Sequence, residues 1–202
     1  MAQLSTIPGF ADRPVLRDAP VSNMRGKRVS LGPLRREWLP WYQHWLNDFE
    51  MIKLVDRRFR PHSTEWITQW YERHASGTQD SLIFTIIDNA GGQPVGNVAL
   101  QDVDYRNRTA ELGIYIGDAS NRGKGYGTEA TQLLLQLAFG VLGLQNVMLR
   151  VYAYNSAAIR VYEKVGFREF GRRHQCQFMD GQFWDVILME CLASDFRQVR
   201  DA

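Results

Sequence analysis

The 202-residue chain has few of the features that mark secreted, metal-binding or membrane proteins. It contains two cysteines and four histidines, and these are too scattered to give a metal-ligand spacing. No apolar run approaches the roughly 18 residues that a membrane-spanning helix needs. The N-terminus lacks a basic segment followed by an apolar one, so no signal peptide is expected. These absences predict a cytoplasmic protein with no metal and no membrane partner.

The two cysteines are predicted to be free thiols. Asp180-Gly181 is a strong signal for a two-residue hairpin turn. A hairpin closed there would place Cys176 opposite Asp185, and Cys191 would lie about six residues, or roughly 20 Å, further along its strand. A disulfide requires Cα atoms within about 7 Å of each other, so this hairpin keeps the two thiols apart.

Charge is also nearly balanced, since the formal net charge is +2 with 23% charged and 45% hydrophobic residues. These values are typical of a globular protein and do not favour wholesale binding of nucleic acid. The length suits one domain with a sizeable core. We interpret residues 1–25, which are rich in proline and lack an apolar period, as an extended arm. Residues 26–192 form the predicted domain, and residues 193–202 are predicted to be a short exposed tail.

Apolar periodicity divides the domain into strands and helices. Strands are predicted over residues 27–34, 81–88, 95–103, 108–116 and 146–152, with a closing hairpin over 167–178 and 183–191. Helices are predicted from about Leu39, from the N-cap Ser63 to near Gly77, over 129–142 and over 155–165. Tryptophans at helical spacing in the first two helices are interpreted as core.

One stretch combines a strand, a glycine-rich turn and a helix. Residues 121–128, Asn-Arg-Gly-Lys-Gly-Tyr-Gly-Thr, lie between the strand 108–116 and the helix 129–142. Glycines let backbone N–H groups approach an anion, and the helix directs free N–H groups and its positive dipole end at the same point. Because Arg122 and Lys124 add two cations, a phosphate or pyrophosphate ligand is predicted. The spacing matches neither the dinucleotide fingerprint nor the nucleotide P-loop, and a plain turn is the alternative.

Two segments resemble the cofactor-binding motifs of the GNAT superfamily of N-acetyltransferases. Arg122-x-x-Gly125-x-Gly127 resembles the acetyl-CoA pyrophosphate loop, whose pattern is Q/R-x-x-G-x-G/A. Downstream, residues 155–167 resemble the second cofactor segment, N-x-x-A-x-x-x-Y-x-x-x-G-F. The resemblance covers residues 27–191 and looks greatest to the branch of ribosomal-protein N-terminal acetyltransferases and spermidine acetyltransferases.

The resemblance implies one mixed α/β domain, with a largely antiparallel central sheet, two splayed central strands and flanking helices. It also implies acetyl transfer from acetyl-CoA to a primary amine by direct attack in a ternary complex. The acceptor is left open between a protein or peptide N-terminus, an amino sugar or aminoglycoside, and a polyamine. A non-catalytic acyl-CoA-binding or interaction module is the alternative from a different class. A homodimer is implied by the resemblance alone.

The resemblance also implies roles for individual residues. Glu111 is the expected general base, acting through a water, and Tyr162 is the expected general acid for the departing CoA thiolate. Gly113 inside a strand suggests a bulge or a close backbone approach, and the resemblance implies a bulge there that frees a backbone N–H for the thioester carbonyl. The alternatives are that Glu111 is merely solvated, that Tyr162 only packs, and that Asn155 only caps its helix. The expected acetyl-CoA contacts are Ile114, Ile116, Arg122, Gly123, Lys124, Gly125, Tyr126, Gly127, Thr128, Asn155 and Ala158.

On the acceptor side, Trp38 and Trp45 are kept as cleft candidates because the family places the first two helices beside the acceptor. Residues 50–62 between these helices have a formal excess of two positive charges. A polyamine is a cation and would prefer carboxylates there, so this loop counts modestly against spermidine. A solvated loop is an equal alternative. The predicted acceptor-binding residues are Trp38, Arg57 and Arg58.

Overall fold

The computed structural model describes residues 21–55, 60–77 and 80–200, without the side chains of residues 197–200. The strands within these residues are β1 (Met24–Arg25), β2 (Val29–Gly32), β3 (Leu82–Asp88), β4 (Pro94–Asp104), β5 (Thr109–Ile116), β6 (Asn146–Tyr152), β7 (Arg168–Met179) and β8 (Gln182–Leu192). The helices are α1 (Leu39–Asn47), α2 (Phe49–Ile52), α3 (Thr64–Ala75), α4 (Tyr126–Gly140), α5 (Ser156–Lys164) and α6 (Ala193–Arg200).

The strands form one sheet in the order β1-β2-β3-β4-β5-β6-β8-β7. Strands β5 and β6 are parallel, because the helix α4 carries the chain back between them, and the other neighbouring pairs are antiparallel. The predicted α/β fold, with its largely antiparallel sheet and flanking helices, is confirmed.

Strand β5 separates two apolar clusters. Ala110 and Leu112 are buried in a large cluster that also contains the inner face of α4. Tyr115 points to the other face and packs against a second cluster, built from aromatic and aliphatic side chains of α1 and α3. Successive side chains of this strand therefore pack into different clusters, which agrees with the alternation that the sequence predicts.

Local signals set several element ends as predicted. The Ser63 side chain accepts a hydrogen bond from the Trp66 N–H at 3.2 Å and caps α3, and Gly77 takes a φ of +74° after that helix. In the β7–β8 hairpin Phe178 pairs with Phe183, as a turn at Asp180-Gly181 requires. Cys176 and Cys191 are both free.

The two ends of the predicted domain differ from expectation. Residues 1–20 of the predicted arm lie outside the described residues, but Met24 and Arg25 pair with β2 and so belong to the sheet. The segment predicted to be an exposed tail begins with helix α6, in which Ala193 and Phe196 are buried. The Phe196 ring lies 5.5 Å from that of Phe139 in α4. A single aromatic residue on a short segment gives too little periodicity to predict this helix.

Candidate active site

A gap opens in the middle of the sheet. The parallel pairing of β5 with β6 ends at Glu111 and Met148, although β5 continues to Ile116 and β6 to Tyr152. Both strands keep their outer partners, β4 and β8, along these stretches. The two central strands therefore diverge over their carboxyl-terminal halves, as the expected splay requires.

The ladder with β4 shows which backbone groups of β5 face this gap. The Gly117 N–H donates to the Val95 carbonyl at 3.0 Å, and the register is unbroken from Ile116 back to Glu111. Alternate residues of an antiparallel strand turn their N–H and C=O groups to the same neighbour. The backbone groups of Leu112, Ile114 and Ile116 therefore point away from β4 and into the gap.

The bulge expected near Gly113 is not present there, and that prediction is wrong. Gly113 pairs regularly with Ala99, and the irregularity of this ladder lies between Gln101 and Asp104. A Cβ built on Gly113 would have no heavy atom within 4 Å. The face of β5 at Gly113 is therefore open. The free N–H groups nearest to it belong to Leu112 and Ile114, the residues on either side of Gly113.

The glycine loop follows β5 directly. Gly123 and Gly125 have φ angles of +76° and +83°, a region that other residues rarely adopt. Helix α4 begins at Tyr126, earlier than the predicted residue 129. Gly127 and Thr128 thus lie in its first turn, where backbone N–H groups have no acceptor within the helix. The loop presents these groups at the carboxyl end of β5, beside the gap.

Charged side chains surround this helix end. The Arg122 guanidinium donates back to the carbonyls of Ile116 and Gly117, at 3.4 and 2.9 Å, and so braces the loop against β5. Lys124 is exposed, and its Nζ donates to the Asn121 Oδ1 at 3.2 Å. Both predicted cations therefore lie within four residues of the start of α4.

Gly117, between β5 and the loop, is packed against the indole of Trp45. A Cβ built on Gly117 would lie 2.3 Å from three atoms of that ring. Trp45 is only 1% exposed, and its Nε1 donates to the Asp118 Oδ2 at 3.2 Å. This predicted cleft residue is therefore a buried support of the segment that joins β5 to the glycine loop.

We expect Gly117→Ala to destabilise the protein by about 1–3 kcal/mol, because the buried indole has no room to move away. Gly140→Ala is the matched control, since a Cβ at that helical position would meet nothing within 4 Å. Urea unfolding of both variants measures the difference. Equal stability of Gly117→Ala and the wild type would show that the contact is not rigid.

The expected general base is held by an ion pair. Glu111 accepts from Nε and Nη2 of Arg150 at 2.7 Å each, a two-point contact across the point where β5 and β6 diverge. Arg150 is on β6, two residues beyond Met148, the last residue of β6 that pairs with β5. Hydrogen bonding to Glu111 raises the pKa of the Arg150 guanidinium. The sequence did not reveal Arg150, because its proximity depends on the register of two strands separated by a helix.

Tyr162 on α5 is 8% exposed and belongs to the large apolar cluster. Its ring lies 5.8 Å from that of Phe167, edge to face. Burial is the one cause that raises the pKa of its hydroxyl, and no hydrogen bond from a described residue contributes.

Asn155 caps helix α5. Its Oδ1 accepts from the Ala158 N–H at 3.2 Å, which is the structural role that the sequence left as the alternative. Ala158 packs against the large cluster together with Ile114, Ile116 and Tyr126. Four of the predicted cofactor residues, one or two each on β5, α4 and α5, therefore pack against the same apolar cluster.

On the acceptor side, Trp38 is buried and lies beneath the Arg35 guanidinium, 4.9 Å from its ring centre. This placement favours the core role over a cleft role. The Tyr154 hydroxyl donates to the Lys53 carbonyl, so the end of α2 meets the loop between β6 and α5. Arg57 and Arg58 lie outside the described residues.

Among residues 21–55, 60–77 and 80–200, no group of three or more metal-binding side chains comes together. In the same residues, none of the helices has the length and hydropathy to span a membrane.

Comparison with known proteins gives a consistent result. A family model described as an acetyltransferase (GNAT) domain matches residues 28–168. The uncharacterized N-acetyltransferase YokL of the Bacillus subtilis SPbeta prophage is 29% identical over 150 residues, which are 74% of this chain and 82% of that protein. The spermidine N(1)-acetyltransferase of Escherichia coli K12 is 29% identical over 161 residues, or 80% of this chain and 84% of that protein.

The fold has a solved counterpart. The crystal structure of spermidine N-acetyltransferase from Vibrio cholerae, in complex with CoA and spermine, superposes with a TM-score of 0.77 at 25% identity. The superposition covers 85% of this chain and 99% of that one.

Proposed function

Because the chain belongs to the acetyltransferase (GNAT) domain family, we propose that the gap between β5 and β6 holds acetyl-CoA for direct attack by a primary amine. The chain is an acetyl-CoA-dependent N-acetyltransferase in this assignment, which is supported by relatives named N-acetyltransferases. The observation that carries the site is the continuity of β5, whose free backbone edge leads directly into the glycine loop. One ligand with an amide-containing arm and a pyrophosphate fits both features.

The proposed contacts follow from the backbone. The pyrophosphate accepts from the N–H groups of residues 125–128 and from Lys124, at the positive end of α4. The pantetheine arm bonds to the edge groups of Ile114 and Ile116. Asn155 already uses its oxygen as a cap, so its amide nitrogen is the group that donates to the arm. Arg122 contributes charge while it braces the loop.

The proposed chemistry is a single displacement. The amine nitrogen forms the new C–N bond to the thioester carbonyl carbon, the C–S bond breaks, and CoA leaves as a thiolate. Glu111 takes one proton from the incoming ammonium through a water, and Tyr162 donates its proton to the departing sulfur. The second proton is lost from the nitrogen of the new amide to solvent, and Tyr162 regains a proton from solvent. An N–H of Leu112 or Ile114 donates to the thioester carbonyl oxygen, the role that the resemblance implies for a free N–H near Gly113.

A covalent acetyl-enzyme is not part of this proposal. Burial raises the pKa of the Cys191 thiol to about 12, so it is protonated and weakly nucleophilic at neutral pH. The Cys176 Sγ donates to the Arg173 carbonyl on β7, the strand at the edge of the sheet. Neither sulfur is on β5 or β6, where the thioester would be held.

The acceptor is proposed to be the amine of a small molecule or of a peptide N-terminus. Lys53, part of the positive loop, is paired with Glu50, which raises the pKa of the Lys53 ammonium. The Arg60 guanidinium lies over the Trp66 ring. These contacts weaken the argument against a polyamine acceptor that was based on the formal charge of residues 50–62. Spermidine is kept as an alternative acceptor, supported by the names of two relatives.

The test is the release of free CoA thiol from acetyl-CoA with four groups of amines: N-terminal peptides, amino sugars and aminoglycosides, polyamines, and free amino acids. We expect release with one group. Binding of acetyl-CoA without thiol release in the presence of any amine would favour the non-catalytic module, and absence of binding would refute the assignment.

Once the acceptor is known, a double variant, Arg57→Ala with Arg58→Ala, should raise the KM for that acceptor. An unchanged KM would exclude both residues from the acceptor-binding site.

A homodimer, a cytoplasmic location, and the absence of a metal, of nucleic acid and of membrane partners remain predictions from the sequence.

A further inference from the structure

We propose that Arg28, at the start of β2, is an additional binding residue for a phosphate group of acetyl-CoA. The inference rests on the proposed function, because it concerns the same cofactor loop. No sequence motif marks Arg28, which precedes the glycine loop by almost half the chain. Its position in the fold, rather than its neighbours in sequence, identifies it.

Arg28 lies against the glycine that begins α4. A Cβ built on Gly125 would be 3.7 Å from the Arg28 Nε and 3.8 Å from its Cδ and Cζ. Gly125 is the N-cap of α4 and has the left-handed backbone that opens the phosphate loop. The guanidinium is therefore beside the N–H groups that we assign to the pyrophosphate.

The backbone of Arg28 is fixed at both of its polar groups. Its N–H donates to the Glu129 Oε2 at 2.9 Å, and its carbonyl accepts from the Asn89 N–H at 2.9 Å. Glu129 also accepts from the Lys27 N–H. A Cβ on Gly26 would be 2.6 Å from the Glu129 Oε1 and 3.0 Å from the Val29 carbonyl oxygen, so the Glu129 carboxylate packs closely against this turn.

This arrangement leaves the guanidinium without an anion among the described residues. Glu129 is the acidic residue in the first turn of α4, and both of its oxygens accept from backbone N–H groups. Arg28 is exposed and sits near the positive end of a helix, where a cation is unfavourable. An anion bound at the loop would make the position of the Arg28 guanidinium favourable, and it would accept two hydrogen bonds from this planar group.

The shared chemistry is a phosphate, and CoA has two sources of it: the pyrophosphate and the 3′-phosphate of the ribose. Calorimetric titration with CoA and with dephospho-CoA, which lacks the 3′-phosphate, separates them without requiring the acceptor. We expect Arg28→Gln to raise the Kd for CoA about 10-fold, as for loss of a charge-assisted hydrogen bond. The same factor with dephospho-CoA assigns the pyrophosphate, and its disappearance assigns the 3′-phosphate.

Arg25→Gln is the matched control, because Arg25 is an exposed arginine on the adjacent strand β1. It should leave the Kd within about 2-fold, and Arg28→Lys should recover part of the loss because it keeps the charge. An unchanged Kd for Arg28→Gln, or an equal rise for Arg25→Gln, would overturn the assignment. Wild-type protein that fails to bind CoA would instead refute the proposed function itself.

Discussion

Replacing Tyr162 by phenylalanine is expected to lower kcat by about 10²–10⁴-fold and to leave the fold intact. The ring packs in the large cluster and against Phe167, and phenylalanine keeps both contacts. The hydroxyl is not held by a described residue, so its removal leaves no buried partner unsatisfied. The loss should therefore be confined to the step in which the CoA thiolate departs.

The pH dependence gives a second expectation for Tyr162. Burial places the pKa of its hydroxyl above the ordinary value of about 10, so the group stays protonated through neutral and mildly alkaline pH. A donor whose pKa is raised remains a donor as the pH rises, and it loses its proton only above that ordinary value. The wild-type rate should thus show no alkaline decline from Tyr162 below about pH 10.

Steady-state kcat, the KM for acetyl-CoA and the thermal midpoint measure these effects together. Tyr105→Phe serves as the control, because that tyrosine is 52% exposed on the turn between β4 and β5. A Tyr162→Phe enzyme with the wild-type kcat would return Tyr162 to the packing role that the sequence also allowed. A thermal midpoint so much lower that unfolding accounts for the loss of activity would also favour the packing role.

The sequence predicted elements whose signals are local. Strand β6 has the predicted bounds, 146–152, because its side chains alternate and polar residues flank it. The start of α4 was predicted too late because apolar periodicity begins only at Ala130, whereas the helix is started by the left-handed backbone of Gly125. At such a start, backbone N–H geometry rather than side-chain hydropathy sets the boundary.

Features that depend on register could not be predicted in the same way. The irregularity of β4 falls beside Asp102, which has a φ of +50°, whereas the sequence pointed to Gly113. Aspartate tolerates a positive φ, but an aspartate in the sequence does not predict one, because aspartate is also common in ordinary conformations. Arg28 contacts Gly125, and Arg150 contacts Glu111, across elements that are distant in the chain. One sequence gives no information on such pairings.

The Glu111–Arg150 ion pair leads to the second large effect. As the proposed base, Glu111 should lose about 10²–10⁴-fold in kcat when changed to glutamine. Each carboxylate oxygen keeps a lone pair after bonding to Arg150, so a water can still be held. If the pair instead only ties β5 to β6 where they diverge, either partner should matter equally.

Four proteins separate these roles: wild type, Glu111→Gln, Arg150→Met and the double variant. For a base we expect Glu111→Gln to reduce kcat far more than Arg150→Met, and the double variant to resemble Glu111→Gln. For a simple tie, both single variants and the double variant should show the same modest loss, because removing one partner already breaks the contact. Unfolding free energies should change by no more than about 1 kcal/mol in either case, because Arg150 is 44% exposed. A much larger loss of kcat for Glu111→Gln than for Arg150→Met would identify Glu111 as the base, and equal losses would leave the pair as a tie between β5 and β6.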